Sequence, residues 1–239
     1  MTKSGIFGLL VLALAATPAL GQSTAQFVAA FSGQWIDYDA GLATGKQMCS
    51  LDLSGGNGTQ LPVKPVGCAA PLAAAVSWSI DKGQLVLADQ HGTALARLGG
   101  NQQRITGSAA DGSPLILERR GGNGDASALM ATYNASGCYY LGYTQKCAPP
   151  AELGKPVAGV NGKIQVDTDV DVDVRSEPRS DANTVGVVKQ GNCVQIDRCV
   201  MASDGPWCEA HFGTAAGWLR KLAIRQNRWP VVTFSNECS

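Results

Sequence analysis

The chain is 239 residues long, 45% hydrophobic and only 16% charged, with 19 Lys and Arg against 19 Asp and Glu. That balance lacks the strongly basic face that nucleic acid or an anionic membrane calls for, and the apolar content is too high for a disordered chain. Residues 1–21 read as a secretory signal peptide: Lys3 gives a positive start, Ile6 to Leu20 is apolar, and Ala19 and Gly21 are the small residues a cleavage site needs. The apolar run is shorter than the ~18 residues of a membrane span. No Cys stands at the cut, the first being Cys49. The expectation is an exported protein, periplasmic or secreted, with no membrane span or lipid anchor and a mature start at Gln22. The eight Cys of an exported chain are then expected as disulfides.

Gln22 to Ser32 is a polar-then-apolar lead, in which Ser23 or Thr24 can cap one or two helical turns with Phe27 and Phe31 on one face. Eight short strands follow, bounded by Gly-, Asn- and Asp-rich turns: Gln34–Asp37, Gln47–Leu53, Gln60–Val66, Ala75–Ile80, Gln84–Ala88, Ala94–Leu98, Gln103–Thr106 and Leu115–Arg119. Leu51/Leu53, Leu85/Leu87 and Leu115/Leu117 alternate as a half-buried sheet requires. Eight antiparallel up-and-down strands of this length close into a barrel without free edges. The fold class is therefore all-β, with this barrel over residues 22–120.

Residues 121–162 read as a connection. Gly121 to Asp125 is a Gly-rich break, Cys138 to Cys147 a small cystine-closed hairpin, and 148–162, with Pro149, Pro150 and Pro156, a linker. A second compact β module occupies 163–239, its C-terminal end a tail from about Arg225. Near its start Asp167, Asp169, Asp171 and Asp173 alternate with Val170, Val172 and Val174. A calcium loop needs ligands converging around a Gly turn, whereas alternate residues on an extended strand spread over roughly 20 Å. The series reads as a strand with one wet acidic face, with no metal.

Strand geometry also restricts the cystines. Cys193 and Cys199 fall on one expected strand, about 20 Å apart, against the ~5.5 Å between Cα atoms that a disulfide spans. The expected pairs are Cys49–Cys68, Cys138–Cys147 and Cys199–Cys208, which leaves Cys193–Cys238 by elimination. A zinc site is the weaker alternative, because no Cys-x-x-Cys occurs and only His91 and His211 could assist.

Catalytic motifs are missing: no His-Glu-x-x-His, no Gly-x-Ser-x-Gly and no phosphate-binding loop. His91 reads as a solvated turn residue beside Gly92, and Asp111, Glu118 and Asp125 have no evident partner. The expectation is a protein that is not an enzyme and carries no cofactor.

Phe31-Ser-Gly-Gln-Trp35, Cys49-Ser-Leu-Asp-Leu53, Gly67-Cys68, Trp78, Gln84-Leu-Val-Leu87, Ala94-Leu-Ala-Arg-Leu98 and Gly112-Ser-Pro-Leu-Ile-Leu-Glu-Arg119 stand in a fixed order. This series resembles the bacterial alkaline proteinase inhibitor family, which has an outer-membrane lipoprotein branch, over about residues 22–120. The resemblance implies an eight-stranded barrel that inhibits secreted zinc metalloproteases of the serralysin type. Its N-terminal trunk lies in the substrate cleft, with the terminal amine on the catalytic zinc. Here the trunk is Gln22, Ser23, Thr24, Ala25 and Gln26. A neutral amine is a good zinc ligand, and a terminal amine with a pKa of about 7.7–8.0 gives up its proton readily. The lead extends at most ~36 Å ahead of Gly33. An N-terminal Gln22 departs from this scheme, because it can cyclise to a lactam whose nitrogen does not ligate zinc. The trunk must then keep Gln22 open, be trimmed to Ser23, or inhibit without ligation.

Val172-Asp-Val-Arg-Ser-Glu-Pro178, Val185-Gly-Val-Val188, Gly191, Asp204-Gly-Pro-Trp-Cys208 and Gly217-Trp-Leu219 resemble a bacterial Src-homology-3 domain over about residues 164–225. The resemblance implies a small barrel that binds peptidoglycan or envelope peptides. Trp207 and Phe212 are the candidate groove residues, while Trp218 reads as core. Two other functions compete with an envelope-held inhibitor. One is a non-inhibitory envelope-binding protein. The other, a small-ligand carrier, suits short strands and few Phe poorly.

Overall fold

The computed structural model describes residues 23–159, 162–212 and 215–238. The expected signal peptide and Gln22 lie outside these residues. One helix and eight strands come first: α1 (Thr24–Phe31), β1 (Gly33–Asp37), β2 (Cys49–Leu53), β3 (Leu61–Val66), β4 (Ser77–Asp81), β5 (Gln84–Ala88), β6 (Ala94–Gly100), β7 (Arg104–Ala109) and β8 (Pro114–Arg119). Each strand pairs with its sequence neighbour, and β1 pairs with β8 to close the barrel. Every strand expected from the sequence is present, because period-2 alternation fixes which face turns inward. In β2, Cys49, Leu51 and Leu53 are buried while Asp52 is exposed. The inward residues form one cluster around Trp35, Leu51, Trp78, Leu87, Leu98 and Leu117. Both indoles are fully buried and donate to backbone carbonyls, Trp35 to Phe31 at 2.7 Å and Trp78 to Ser54 at 3.0 Å. A core packed this way leaves the carrier reading without support.

The connection differs from the expectation. Residues Gly124–Ser136 form a helix, α2. Asn123 caps it, its side-chain oxygen accepting from Ala126 N at 3.0 Å, and Asp125 favours the first turn. Gly137 ends it in the left-handed conformation with φ 79°. Leu129 is the buried anchor, packed with Leu222 and Val232. The cystine hairpin does form, but it is not a free spacer: its strand β9 (Tyr140–Leu141) pairs in parallel with a strand near the C-terminus. The following segment is tied down too, with a short 3-10 turn at Pro150–Leu153 and an ion pair between Lys155 and Asp39 of the barrel at 2.9 Å.

The second unit contains β10 (Ile164–Thr168), β11 (Val172–Arg175), β12 (Thr184–Val188), β13 (Cys193–Ala202), β14 (Gly205–Phe212), β15 (Ala215–Arg220), β16 (Leu222–Arg225), β17 (Trp229–Val232) and β18 (Phe234–Ser235). Seven of these make one sheet in the order β12-β11-β15-β14-β13-β10-β18, and β16, β17 and β9 make a second. The C-terminal segment is thus built into both sheets rather than trailing as a tail, and Phe234 is fully buried. The acidic series does not lie on one strand, because the chain bends at 169–171 between β10 and β11. The cystines are the four expected pairs, Cys49–Cys68, Cys138–Cys147, Cys193–Cys238 and Cys199–Cys208. Cys193 and Cys199 share β13, which is why they do not meet.

Candidate functional site

The trunk residues lead straight into α1. Ser23 and Gln26 form a reciprocal cap: Ser23 Oγ accepts from Gln26 N at 3.3 Å, and Ser23 N donates to Gln26 Oε1 at 2.8 Å. Ser23, Thr24, Ala25 and Gln26 are all exposed, and the last three make the first helical turn. At ~1.5 Å per residue the helix shortens the lead to roughly half the reach of an extended chain. Three rings then step from helix to barrel, with Phe27–Phe31 and Phe31–Trp35 centroids both 6.1 Å apart. Arg119 at the end of β8 holds this corner. Its guanidinium lies 4.2 Å from the Trp35 ring and donates to Ala30 O at 2.6 Å, Ser32 O at 2.8 Å and Gln102 O at 3.1 Å. The helix therefore starts in solvent at Ser23 and is fixed at its other end.

The outer face of β7 and β8 carries the join to the second unit. Arg104 of β7, only 2% exposed, donates from Nε to Glu118 at 2.9 Å, from Nη1 to Pro178 O at 3.0 Å, and from Nη2 to Asp204. Glu118 also accepts from Ser203 N at 2.6 Å and Asn123 Nδ2 at 2.8 Å. Asp204 continues the chain of charge to Arg220 at 3.0 Å. Ile116 of the barrel packs with Val200, Ala202, Trp207 and Trp218 beside it. Burial alone would lower the Arg104 pKa, but the carboxylates of Asp204 and Glu118 outweigh it and raise it. Nearby, burial pushes Asp37 up to about 7, and Asp39 and Glu118 add to the effect. Sequence reasoning left Glu118 and Asp125 without partners: Arg104 faces Glu118 on the neighbouring strand β7, whereas Ser203 and Arg220 come from the second unit and only the tertiary fold brings them in.

Trp207 and Phe212 do not line one groove: Trp207 borders a cleft of the second unit with Val172, Arg175 and Val231, and Phe212 is not among the residues lining it. Trp207 is 1% exposed, sits between the guanidinium groups of Arg104 and Arg220, and donates from Nε1 to Asp204 at 3.1 Å. It belongs to the join. Phe212 is half-buried against the second unit's core and the backbone of Gly186. Trp218 is core, as expected. The acidic residues each find a separate partner: Asp169 with Ser235, Asp171 with Lys189 and Asp173 with Arg175. Among the described residues no three His, Cys, Asp or Glu converge as a metal site would require. His91 lies exposed in its turn, its N–H donating to Asp89 at 2.9 Å.

Residues 26–119 match the family model described as protease inhibitor Inh. These bounds coincide with most of α1 and the whole closed barrel. No curated protein matches the sequence. Among solved structures, the antimicrobial peptidase lysostaphin from Staphylococcus simulans aligns at 13% identity over 89% of this chain and 96% of its own, with a TM-score of 0.25. An NMR solution structure of lysostaphin aligns at 13% over 84% and 93%, also at 0.25. At that score neither alignment bears on fold or function.

Proposed function

We propose that this protein is an exported inhibitor of secreted zinc metalloproteases of the serralysin type, acting through Gln22 to Gln26, and that its second unit holds it at the cell envelope. The observation that carries the reading is the match of the barrel to a protease inhibitor family. Four disulfides agree with an oxidising, extracytoplasmic location, and no helix among the described residues is long and apolar enough to cross a membrane. The trunk reaches the enzyme from the exposed start of α1. The Arg119 corner limits the ordering cost on binding, since only the residues ahead of it remain to be fixed. The Src-homology-3 resemblance of 164–225 supports the envelope role of the second unit.

The test is the inhibition constant of the chain starting at Gln22 against a serralysin-type protease, beside a version lacking Gln22–Gln26. Tight inhibition that disappears with the trunk supports the reading. No inhibition by either leaves a non-inhibitory envelope-binding protein as the better account. Intact mass separates the amine mechanism: full loss of ammonia from Gln22 in a potent inhibitor removes zinc ligation.

A further inference from the structure

The second unit contains a cleft of about 490 Å³, bordered by Val172, Asp173, Arg175 and Trp207 of the series that resembles a Src-homology-3 domain. The cystine hairpin forms one wall, β11 the opposite one, and β16 and β17 the floor. Its size is that of a small-ligand site, and such sites combine an apolar surface with a few convergent polar groups. Here Val172, Ile224 and Val231 supply the apolar surface and Tyr143, half exposed, stands at the rim.

The charges are unevenly balanced. Of the cations lining the cleft, Arg175 is paired with Asp173 at 2.8 Å, and Arg220 with Asp125 at 3.4 Å and Asp204 at 3.0 Å. Of the remaining lining carboxylates, Asp171 is paired with Lys189 at 2.7 Å. Arg225 has no carboxylate partner among the described residues. Its Nη1 donates to Gly142 O at 3.3 Å, its Nε is buried without an acceptor, and its guanidinium lies 5.2 Å from the Tyr143 ring. A guanidinium with five donors and so few acceptors is an incomplete arrangement, and its planar fork matches a carboxylate. The wall that holds it is closely packed. Gly142 N donates to Val232 O at 3.0 Å, and a Cβ at Gly142 would clash with Asp169 O, so the hairpin tip is seated against the 169–171 bend at a distance only glycine permits.

We infer that this cleft binds a small carboxylate-bearing ligand with an apolar body, its carboxylate on Arg225 and its body between Tyr143 and the valine-lined floor. The cystine hairpin is then a wall of a binding site rather than a spacer. A free amino-acid derivative and the C-terminus of a peptide carry the same chemistry. This inference is independent of protease inhibition, because the cleft lies on the other unit from α1.

The test uses the full mature protein and isothermal titration with three probes: acetyl-leucine, the peptide acetyl-Ala-Ala-Leu as the free acid, and the same peptide as its amide. The free acid is expected to bind at least tenfold more tightly than the amide. Acetyl-leucine binding as well as the peptide acid identifies a free acid as the ligand, and markedly weaker binding identifies a peptide C-terminus. In Arg225→Gln the acid and amide become equivalent, while Tyr143→Ala weakens both, and protease inhibition is unchanged in each. Arg225→Lys, which keeps the charge and loses the fork, retains part of the preference and checks that the fold survives. Equal binding of acid and amide to the unaltered protein, or no binding of any probe, overturns the inference.

Discussion

The two units reach a stable core by opposite routes. In the barrel every strand pairs with its neighbour in sequence, and one cystine closes a short loop. In the second unit β10 pairs with β13 and β18, and β17 reaches back to β9, so the sheets depend on long-range partners and carry three cystines. Local pairing needs little help once alternation is set, whereas distant pairing must overcome loop-closure entropy. Between the units lies a chain of charge, Glu118–Arg104–Asp204–Arg220, that joins them.

That join is where the comparison breaks most sharply. Arg104→Met leaves Glu118 and Asp204 buried beside an apolar side chain. Removing one partner of a buried ion pair costs about 3–5 kcal/mol. Calorimetry of the variant is expected to show two separated transitions where the native chain shows one, the second unit melting first. A single transition shifted by less than a degree or two would mean that the join does not couple the units.

The cystines sharpen the same contrast. Cys193–Cys238 closes a loop with a separation of 45 residues and Cys49–Cys68 one of 19. Chain entropy gives about 4 and about 3 kcal/mol respectively. Replacing each pair by serine, with urea unfolding as the measurement, should cost the second unit more than the barrel. The reverse order would show that native strain outweighs loop length.

The barrel was legible because its signal is local: Leu51/Leu53 and Leu85/Leu87 state their face within one strand, and the turns state the pairing. The cystines were legible by distance, since Cys193 and Cys199 share a strand. Helix α2 was missed although its signals are present, Asn123 as a cap and Gly137 as a stop, because the Gly-rich stretch ahead of it read as a break. Trp207 was only partly legible, for a different reason. A Trp in a half-apolar strand reads the same whether it faces a groove or a neighbouring unit, and only Arg104 of the barrel shows that this one borders both.

Each unit also has one group whose pKa burial moves far, and their pH dependences have opposite signs. Asp37 of the barrel, fully buried, is pushed by burial up to about 7. A carboxyl raised above its unfolded value binds more protons when folded, so stability falls as pH rises from about 4 to 7 and is level above. The fall is up to about 4 kcal/mol. Lys221, also fully buried, is lowered by burial to about 8. There the unfolded chain binds more protons, so stability rises from pH 8 to about 10.5, by up to about 3 kcal/mol. Urea midpoints across this range should trace a valley near pH 7–8. Asp37→Asn removes the acid-side slope alone, and Lys221→Met the alkaline side alone. If Asp37→Asn left the slope between pH 4 and 7 intact, a different group would be its source.

The smallest expected effect tests how the trunk works. Losing the Ser23 cap weakens the first turn of α1 by about 1 kcal/mol, which corresponds to about fivefold in an equilibrium. Ser23→Ala loses the cap, whereas Ser23→Asn keeps an acceptor for Gln26 N without adding charge, and both lose any contact the hydroxyl makes with an enzyme. Their ratio of inhibition constants therefore isolates the helix. If Thr24–Gln26 enter the cleft as an extended strand, that turn must unwind first, and the alanine variant inhibits several-fold better than the asparagine one. If the turn stays helical and acts as a rigid support, the alanine variant is several-fold worse. Circular dichroism fixes the scale, since the loss of helix should be confined to the single turn that Ser23 and Gln26 close in the free protein.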